Sequence, residues 1–291
     1  MTFFLQCVLS GLCSGAVYGL AALGFVLIYK TTGILNLAQG SFLLLGGYLC
    51  SSFAAHLGLP VWLAIILSFL VLGILGYVLE LFPLRPMYGQ SHLSIVMVTL
   101  GLYVFLNAAV SSIWGEYSIM PTPYFIPSGA IKFGGVSLPY SLLGAFIVAG
   151  AIAAIFVLFF QYSTIGLNMR AIAEGHQIAR SMGISISRYV ALVWAIAAAL
   201  GALGGILGSQ IRGADQGLVD YGLKAVAGAL LGGMDSVHGA IVGCLVVGVL
   251  ETLAGGYIGH GIKEVFPFIV LAFAIIVVPY GFFGLKRIER I

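Results

Sequence analysis

Apolar stretches, each about as long as a bilayer is thick, recur along the chain and are separated by short polar intervals. A crossing helix needs about 20 mainly apolar residues, at roughly 1.5 Å rise each, to cover a hydrocarbon core of roughly 30 Å. Stretches of that kind lie at about 8–29, 35–55, 61–82, 92–113, 139–161, 190–209, 219–235, 237–255 and 265–283. The pattern predicts an all-α polytopic membrane protein of about nine crossings, with eight to ten compatible with it. Asn36, Gln39 and Gly40 interrupt the second stretch, and Asp220 and Lys224 open the seventh. Both are expected to be broken or re-entrant helices, which are tolerated only where protein or a watery cavity satisfies the freed backbone groups.

One hydrophilic island stands apart from this texture. The run TIGLNMRAIAEGHQIARSMGISISR at 164–188 carries Arg170, Glu174, His176, Arg180 and Arg188. Its residues have helical order: Met169, Ile172, Ala173 and Ile178 form a packing side, while Arg170, Glu174 and Gln177 share a face at three- and four-residue intervals. Glu174 follows Arg170 by four residues, a pairing of opposite charges in the weaker order for helix support. Such a short amphipathic element suits docking on a soluble partner. A solvated connecting loop is the plain alternative, and spacing alone does not choose between them.

Composition makes the membrane reading firm. Hydrophobic residues are 61% of the chain, charged residues 7%, and the mean hydropathy is +1.15, whereas soluble domains carry about a quarter charged residues. The 41 glycines fall largely inside apolar runs, where small residues let lipid-embedded helices approach closely. The 291 residues read as a single integral domain spanning 1–291. No basic region precedes the first apolar stretch, so it is expected to be a retained helix. Cys7, Cys13, Cys50 and Cys244 lie in or beside apolar segments without metal-ligand spacing, and read as small buried hydrophobes. The net charge of +3 comes from dispersed basic residues, which argues against a nucleic-acid partner.

Basic residues also suggest an orientation. Alternating crossings put Lys30, Arg85, Arg170, Arg180, Arg188, Lys286, Arg287 and Arg290 on the island's side, and Lys132, Arg212 and Lys263 on the other. By the positive-inside rule the island and carboxyl terminus are cytoplasmic and the amino terminus is outside. The segment 114–138 then lies outside, with Pro121, Pro123 and Pro127 opposing a continuous helix and Trp114, Tyr117 and Tyr124 suiting an interfacial belt.

No enzyme constellation emerges. The chain has no GxxxxGK[ST], HExxH or GxSxG, and no GxGxxG opening a strand–helix unit. It is therefore expected to bind no cofactor and to hydrolyse no ATP by itself. Asp235 and His238 are three residues apart and suit a turn among Gly232, Gly233 and Gly239, because a metal would need more ligands. Asp220 and Lys224 are spaced to pair at the mouth of a crossing, and Glu251 is a candidate pathway group if it lies within one. Asn36 and Gln39 suit mutual hydrogen bonding at a helix break, or support of a pathway, with Gly40 permitting close helix contact. A weak likeness of texture links 31–49 with 223–243, where polar residues sit among glycines, as at the half-helix sites of transporters built from repeats.

Three segments carry a family resemblance: GLAALGFVLIYKTTGILNLAQGSFLLLGGY at 19–48, STIGLNMRAIAEGHQIARSMGIS at 163–185, and GALLGGMDSVHGAIVGCLVVGVLE at 228–251. Together with the helix spacing they resemble, over nearly the whole chain, the LivH-like membrane permeases of branched-chain amino-acid ABC importers, with urea-type permeases as close relatives. The resemblance implies a multi-pass permease of the bacterial inner membrane. It also implies a second related permease, two cytoplasmic ATP-binding subunits that use ATP and Mg, and an external substrate-binding protein. It makes 164–188 a cytoplasmic coupling region, with Arg170, Glu174 and Arg180 positioning the interface and Ala171, Ala173, Gly175 and Ala179 permitting close packing. The implied cargo is leucine, isoleucine or valine. Urea or another small solute is the alternative within the family, and an autonomous ion-coupled carrier or a gated channel lies outside it.

Overall fold

The computed structural model describes residues 1–115, 125–127, 129–133, 135–278 and 280–284. Tyr117, Pro121, Pro123, Tyr124, Lys286, Arg287 and Arg290 lie outside them. The described chain has eleven α-helices and one hairpin, with a π-helical turn Glu80–Leu84 and a 3-10 turn Arg85–Met87 continuing α3: α1 Thr2–Thr32, α2 Gln39–Ala55, α3 Val61–Leu79, α4 His92–Trp114, α5 Tyr140–Tyr162, α6 Thr164–Glu174, α7 His176–Ser181, α8 Ile186–Arg212, α9 Leu218–Gly232, α10 Val237–Tyr257 and α11 His260–Val277. The antiparallel strands β1 Ala130–Phe133 and β2 Val136–Pro139 close the hairpin, a small β element that the all-α expectation did not include. Among the described residues, six helices are long and apolar enough to cross a membrane: α1, α3 with its continuation to Met87, α4, α5, α8 and α10.

The fold is thus an all-α polytopic membrane protein with six clear apolar spans among the described residues. Of the three expected stretches outside these six, one became α11, of 18 residues, and the other two are the interrupted ones. α2 has 17 residues and α9 has 15, both short of a full crossing.

Contacts divide the bundle into two ends. At the island end, the His176 ring Nε2 lies 2.9 Å from the Thr31 carbonyl oxygen, joining α7 to the last turn of α1. At the hairpin end, Gln6 Nε2 donates to the Ser137 carbonyl at 3.4 Å and the Thr252 hydroxyl to the Cys7 carbonyl at 2.8 Å. Gln216 Nε2 donates to Ser111 Oγ at 2.9 Å at that same end. Lys30, Arg85, Arg170, Arg180 and Arg188 therefore gather towards the island end, with Lys132, Arg212 and Lys263 towards the other.

Both short helices begin inside the bundle. Gly33, with φ 70, caps α1 in the left-handed conformation that glycine adopts without strain, and residues 34–38 turn back as non-helical chain. A Cβ on Gly24 would strike the Gln39 side chain. Gly24 is eight residues short of Thr32, so α2 starts about 12 Å in from the island end. α9 starts from the opposite side, where Gly208, four residues before the end of α8, faces Leu218 and Tyr221. The first turns then meet: a Cβ on Gly40 would lie 2.8 Å from the Val219 oxygen, and one on Gly222 would strike the Gly40 Cα. From that contact α2 and α9 run towards opposite ends.

The second break is therefore at 213–217, just ahead of the Asp220 and Lys224 that open the seventh stretch, whereas the likeness of texture pointed to 223–243. In the latter range α9 runs unbroken to Gly232 and α10 starts at Val237. The four cysteines are free and buried.

Candidate functional site

Three arrangements of polar side chains carry the chemistry of this bundle. The first is the island. Ser163 caps α6, its hydroxyl accepting from the Gly166 amide at 2.9 Å, and Asn168 Nδ2 donates to the Tyr189 hydroxyl, tying α6 to α8. Met169 and Ile172 are buried, as their spacing requires, but the helix stops at Glu174 and α7 resumes after Gly175. That interruption rotates Ile178 out of the packing side, and it is 65% exposed. Ala179 takes its place as the buried contact, while Ala171, Ala173 and Gly175 are half-buried.

The charges of the island also part company. Arg170 makes no ion pair with Glu174 among the described residues; its Nη2 donates to the Gln161 carbonyl at 2.9 Å and its guanidinium lies 6.0 Å from the Phe160 ring centre. The packing of α6 against α5 draws Arg170 backwards, away from the exposed Glu174. Arg180 is exposed and has no ion-pair partner among the described residues. It borders a cleft of about 420 Å³ between α7, the end of α1 and the α3–α4 connection, with His92 and His176 also on its wall. Nearby, the fully buried carboxylate of Glu80 is held by Arg85 at 2.9 Å, in a π-helical turn that contains Pro83.

The second arrangement is the break before α2. Asn36 Oδ1 accepts from the Ala38 amide at 3.0 Å, Asn36 Nδ2 donates to Gln39 Oε1 at 3.3 Å, and Gln39 Nε2 donates to the Ala197 carbonyl at 2.9 Å. Both amides are fully buried, so each group answers a backbone or side-chain partner that water does not reach. Replacing Gln39 by leucine is expected to strip Asn36 Nδ2 and the Ala197 carbonyl of partners and to cost about 1–3 kcal/mol. A thermal melt of the purified protein in detergent checks this; a melting temperature equal to wild type would count against it.

The third arrangement was not anticipated as a unit. Lys224 on α9 is 2% exposed; its Nζ lies 2.9 Å from Glu251 Oε1 on α10 and 2.6 Å from Glu264 Oε2 on α11. The Tyr18 hydroxyl on α1 donates to Glu251 Oε2 at 2.9 Å. Four helices therefore converge on one ion cluster, buried at Lys224 and Glu251 and open at Glu264, and the Tyr18 and Tyr221 rings meet edge to face beside it at 4.9 Å. Asp220 is not among the ion-pair partners of Lys224. The α9 backbone turns the lysine towards α10 and α11, overriding the four-residue spacing. Glu251 is 1% exposed and lies within a spanning helix.

Asp235 and His238 do not come together with this cluster. They sit where α9 passes to α10; Ser236 caps α10 by accepting from the Gly239 amide at 3.1 Å, and His238 is exposed. Among the described residues no group of three or more His, Cys, Asp or Glu is placed to hold a metal. The residues missed in sequence are Tyr18, Glu264 and Glu80. The signal for Glu80 was its five-residue distance from Arg85; the other two lie far along the chain from their partners.

Comparison with known proteins gives these features a context. A family model described as "branched-chain amino acid transport system / permease component" matches residues 7–277. The chain is 28% identical to the high-affinity branched-chain amino acid transport system permease protein LivH of Escherichia coli K12, over 99% of this chain and 98% of that protein. It is 30% identical to the corresponding permease protein BraD of Pseudomonas aeruginosa, again over 99% and 98%. A more distant likeness, 29% identity over 69% of this chain and 57% of the relative, is to the nucleoside ABC transporter permease protein NupC of Lactococcus lactis.

Proposed function

The chain belongs to the family of permease components of branched-chain amino acid transport systems, and from that premise we propose that it is the membrane subunit of an ATP-driven importer whose cargo is leucine, isoleucine or valine. The observation that carries this reading is the end-to-end similarity to LivH and BraD, permease proteins named for high-affinity branched-chain amino acid transport. In this reading residues 1–291 act as one permease domain in a bacterial inner membrane. The chain pairs with a second related permease, two ATP-binding subunits on the cytoplasmic side supply hydrolysis with Mg, and an external binding protein delivers cargo. The island end faces the cytoplasm, with the amino terminus outside and the carboxyl terminus inside. That assignment follows from the basic residues gathered at the island end.

Residues 164–188 are then the coupling region that meets the ATP-binding subunits, with Arg170, Ala171, Ala173, Glu174, Gly175, Ala179 and Arg180 in or under the contact. The geometry separates their parts. Arg180, Glu174 and Ile178 are exposed and free to touch a partner, whereas Arg170 and Ala179 hold the island to the bundle. Asn36, Gln39, Gly40, Asp235 and His238 support helix breaks and turns, and Glu251 belongs to the ion cluster.

The assembled complex in vesicles, with ATP inside and loaded binding protein outside, is expected to accumulate leucine. Uptake of a nucleoside or urea without leucine uptake would overturn the cargo. Uptake by this chain alone, without ATP, would overturn the ATP-driven mechanism in favour of an ion-coupled carrier. Within the same complex, Arg180→Glu is expected to weaken recovery of the ATP-binding subunits with the permease by roughly tenfold, the scale of a reversed charge at an interface. Wild-type co-purification and uptake in the correctly inserted variant would remove Arg180 from the contact.

A further inference from the structure

A branched-chain amino acid crosses as a zwitterion, so a low-dielectric route must offer both signs of charge to its head group, because an isolated charge at membrane depth is costly. Among the described residues, the ion pairs at or beside the spans are Glu80–Arg85, Arg212–Asp215 and the Lys224 cluster. In the first, the carboxylate is completely buried and receives two donors from one arginine. The second joins partly exposed side chains three residues apart, ahead of α9. Only the third joins a buried cation at depth to an exposed carboxylate: Lys224 is 2% exposed and Glu264 is 51% exposed.

Among the described residues, the donors of Lys224 are not all taken. Its ammonium carries three N–H donors, two of which go to Glu251 and Glu264. Glu251 is fixed in place, its second oxygen taken by the Tyr18 hydroxyl. Among the described residues Glu264 is held through Oε2 alone, and it stands on the last described helix. It is therefore the partner that can move without leaving Lys224 uncompensated.

We propose that Lys224 and Glu264 form a station for the head group of the amino-acid cargo. Glu264 swings aside, the cargo carboxylate takes its place on the Lys224 ammonium, and the cargo ammonium settles on the released Glu264 carboxylate. One ion pair becomes two, net charge is conserved, and Glu251 holds Lys224 charged throughout. The apolar side chain of the cargo makes no demand on the cluster. This assignment rests on the cargo class proposed above.

The test uses the whole complex in vesicles and reads leucine moved per ATP hydrolysed. Glu264→Gln keeps the shape and loses the charge, and is expected to lower that ratio by roughly tenfold, the worth of one charge-assisted hydrogen bond. Glu264→Asp keeps the charge on a shorter arm and is expected to fall between the two. A purely structural bridge would lower complex recovery, hydrolysis and uptake in parallel and leave the ratio at its wild-type value, and that result overturns the station. If Glu264→Gln does not assemble, the Glu264→Asp ratio decides by the same criterion. A wild-type complex that moves no leucine overturns the cargo and the station together, whereas wild-type uptake with an unchanged variant ratio overturns the station alone.

Discussion

Replacing Lys224 by methionine is expected to destabilise the folded protein by about 3–5 kcal/mol, the usual cost of leaving one member of a buried ion pair without its partner. The magnitude follows from burial: Glu251 is 1% exposed and would keep only the Tyr18 hydroxyl to offset its charge. The Lys224–Glu264 contact is left out of this figure, because Glu264 is half exposed and not itself stranded by burial. Lys224→Met with Glu251→Gln removes both buried charges and is expected to recover most of the loss, since neutral, well-packed replacements for buried pairs are often tolerated. Thermal melting of the single and double variants in detergent gives the comparison. A single variant that melts with the wild type would mean that Glu251 finds another counter-charge.

An alanine at Gly205 is expected to prevent assembly of α2 against α8. The added Cβ would collide with the Leu43 carbonyl oxygen and come within 2.6 Å of its carbon and 2.8 Å of its Cα. These are backbone atoms, so no rotamer change relieves the clash and the helices must separate. Overpacking in a core costs about 1–3 kcal/mol even where side chains can shift, and this contact lies above that range. Helices in lipid depend on such close backbone approach, having no hydrophobic drive to replace it. Gly101 provides the control, since nothing lies within 4 Å of a Cβ placed there; Gly101→Ala is expected to leave expression and melting near wild type. Equal yields of correctly folded protein from both variants would refute the packing argument.

The two interrupted helices show how far the sequence carries. Asn36 and Gln39 stand out in an apolar run because buried amides need partners, and the first break lies just where they do. The second interruption is expected where Asp220 and Lys224 open the seventh stretch, while the texture of polar residues among glycines points further on, to 223–243. Those glycines instead let α9 and α10 touch, with Gly228 and Gly232 facing Gly243 and Gly239, and the chain breaks at the Gly213 cap and residues 214–217. Glycine in a membrane helix marks either a break or a contact, and composition does not say which.

The ion cluster was hidden for a different reason. A four-residue interval made Asp220 the natural companion of Lys224, whereas its actual partners are 27 and 40 residues away. Glu264 was also excluded from the last apolar stretch, which was expected to begin at 265, although α11 starts at His260. The island shows the same limit at short range. Its amphipathic spacing foresaw the burial of Met169 and Ile172, but Gly175 breaks the phase, so Ile178 and Ala179 exchange the roles that one continuous helix would give them.

The long separations within the Lys224 cluster also set an order of events during synthesis. Tyr18 emerges first and must wait for an acceptor 233 residues later, while the Lys224 ammonium is made 27 residues before Glu251 and 40 before Glu264. At about 5–20 residues per second the lysine spends at least roughly a second without either carboxylate. α9 is therefore expected to gain its stable place in lipid only once α10 has followed it out of the ribosome. On that expectation α10 and α11 serve as the chain's own insertion partners for a segment already translated.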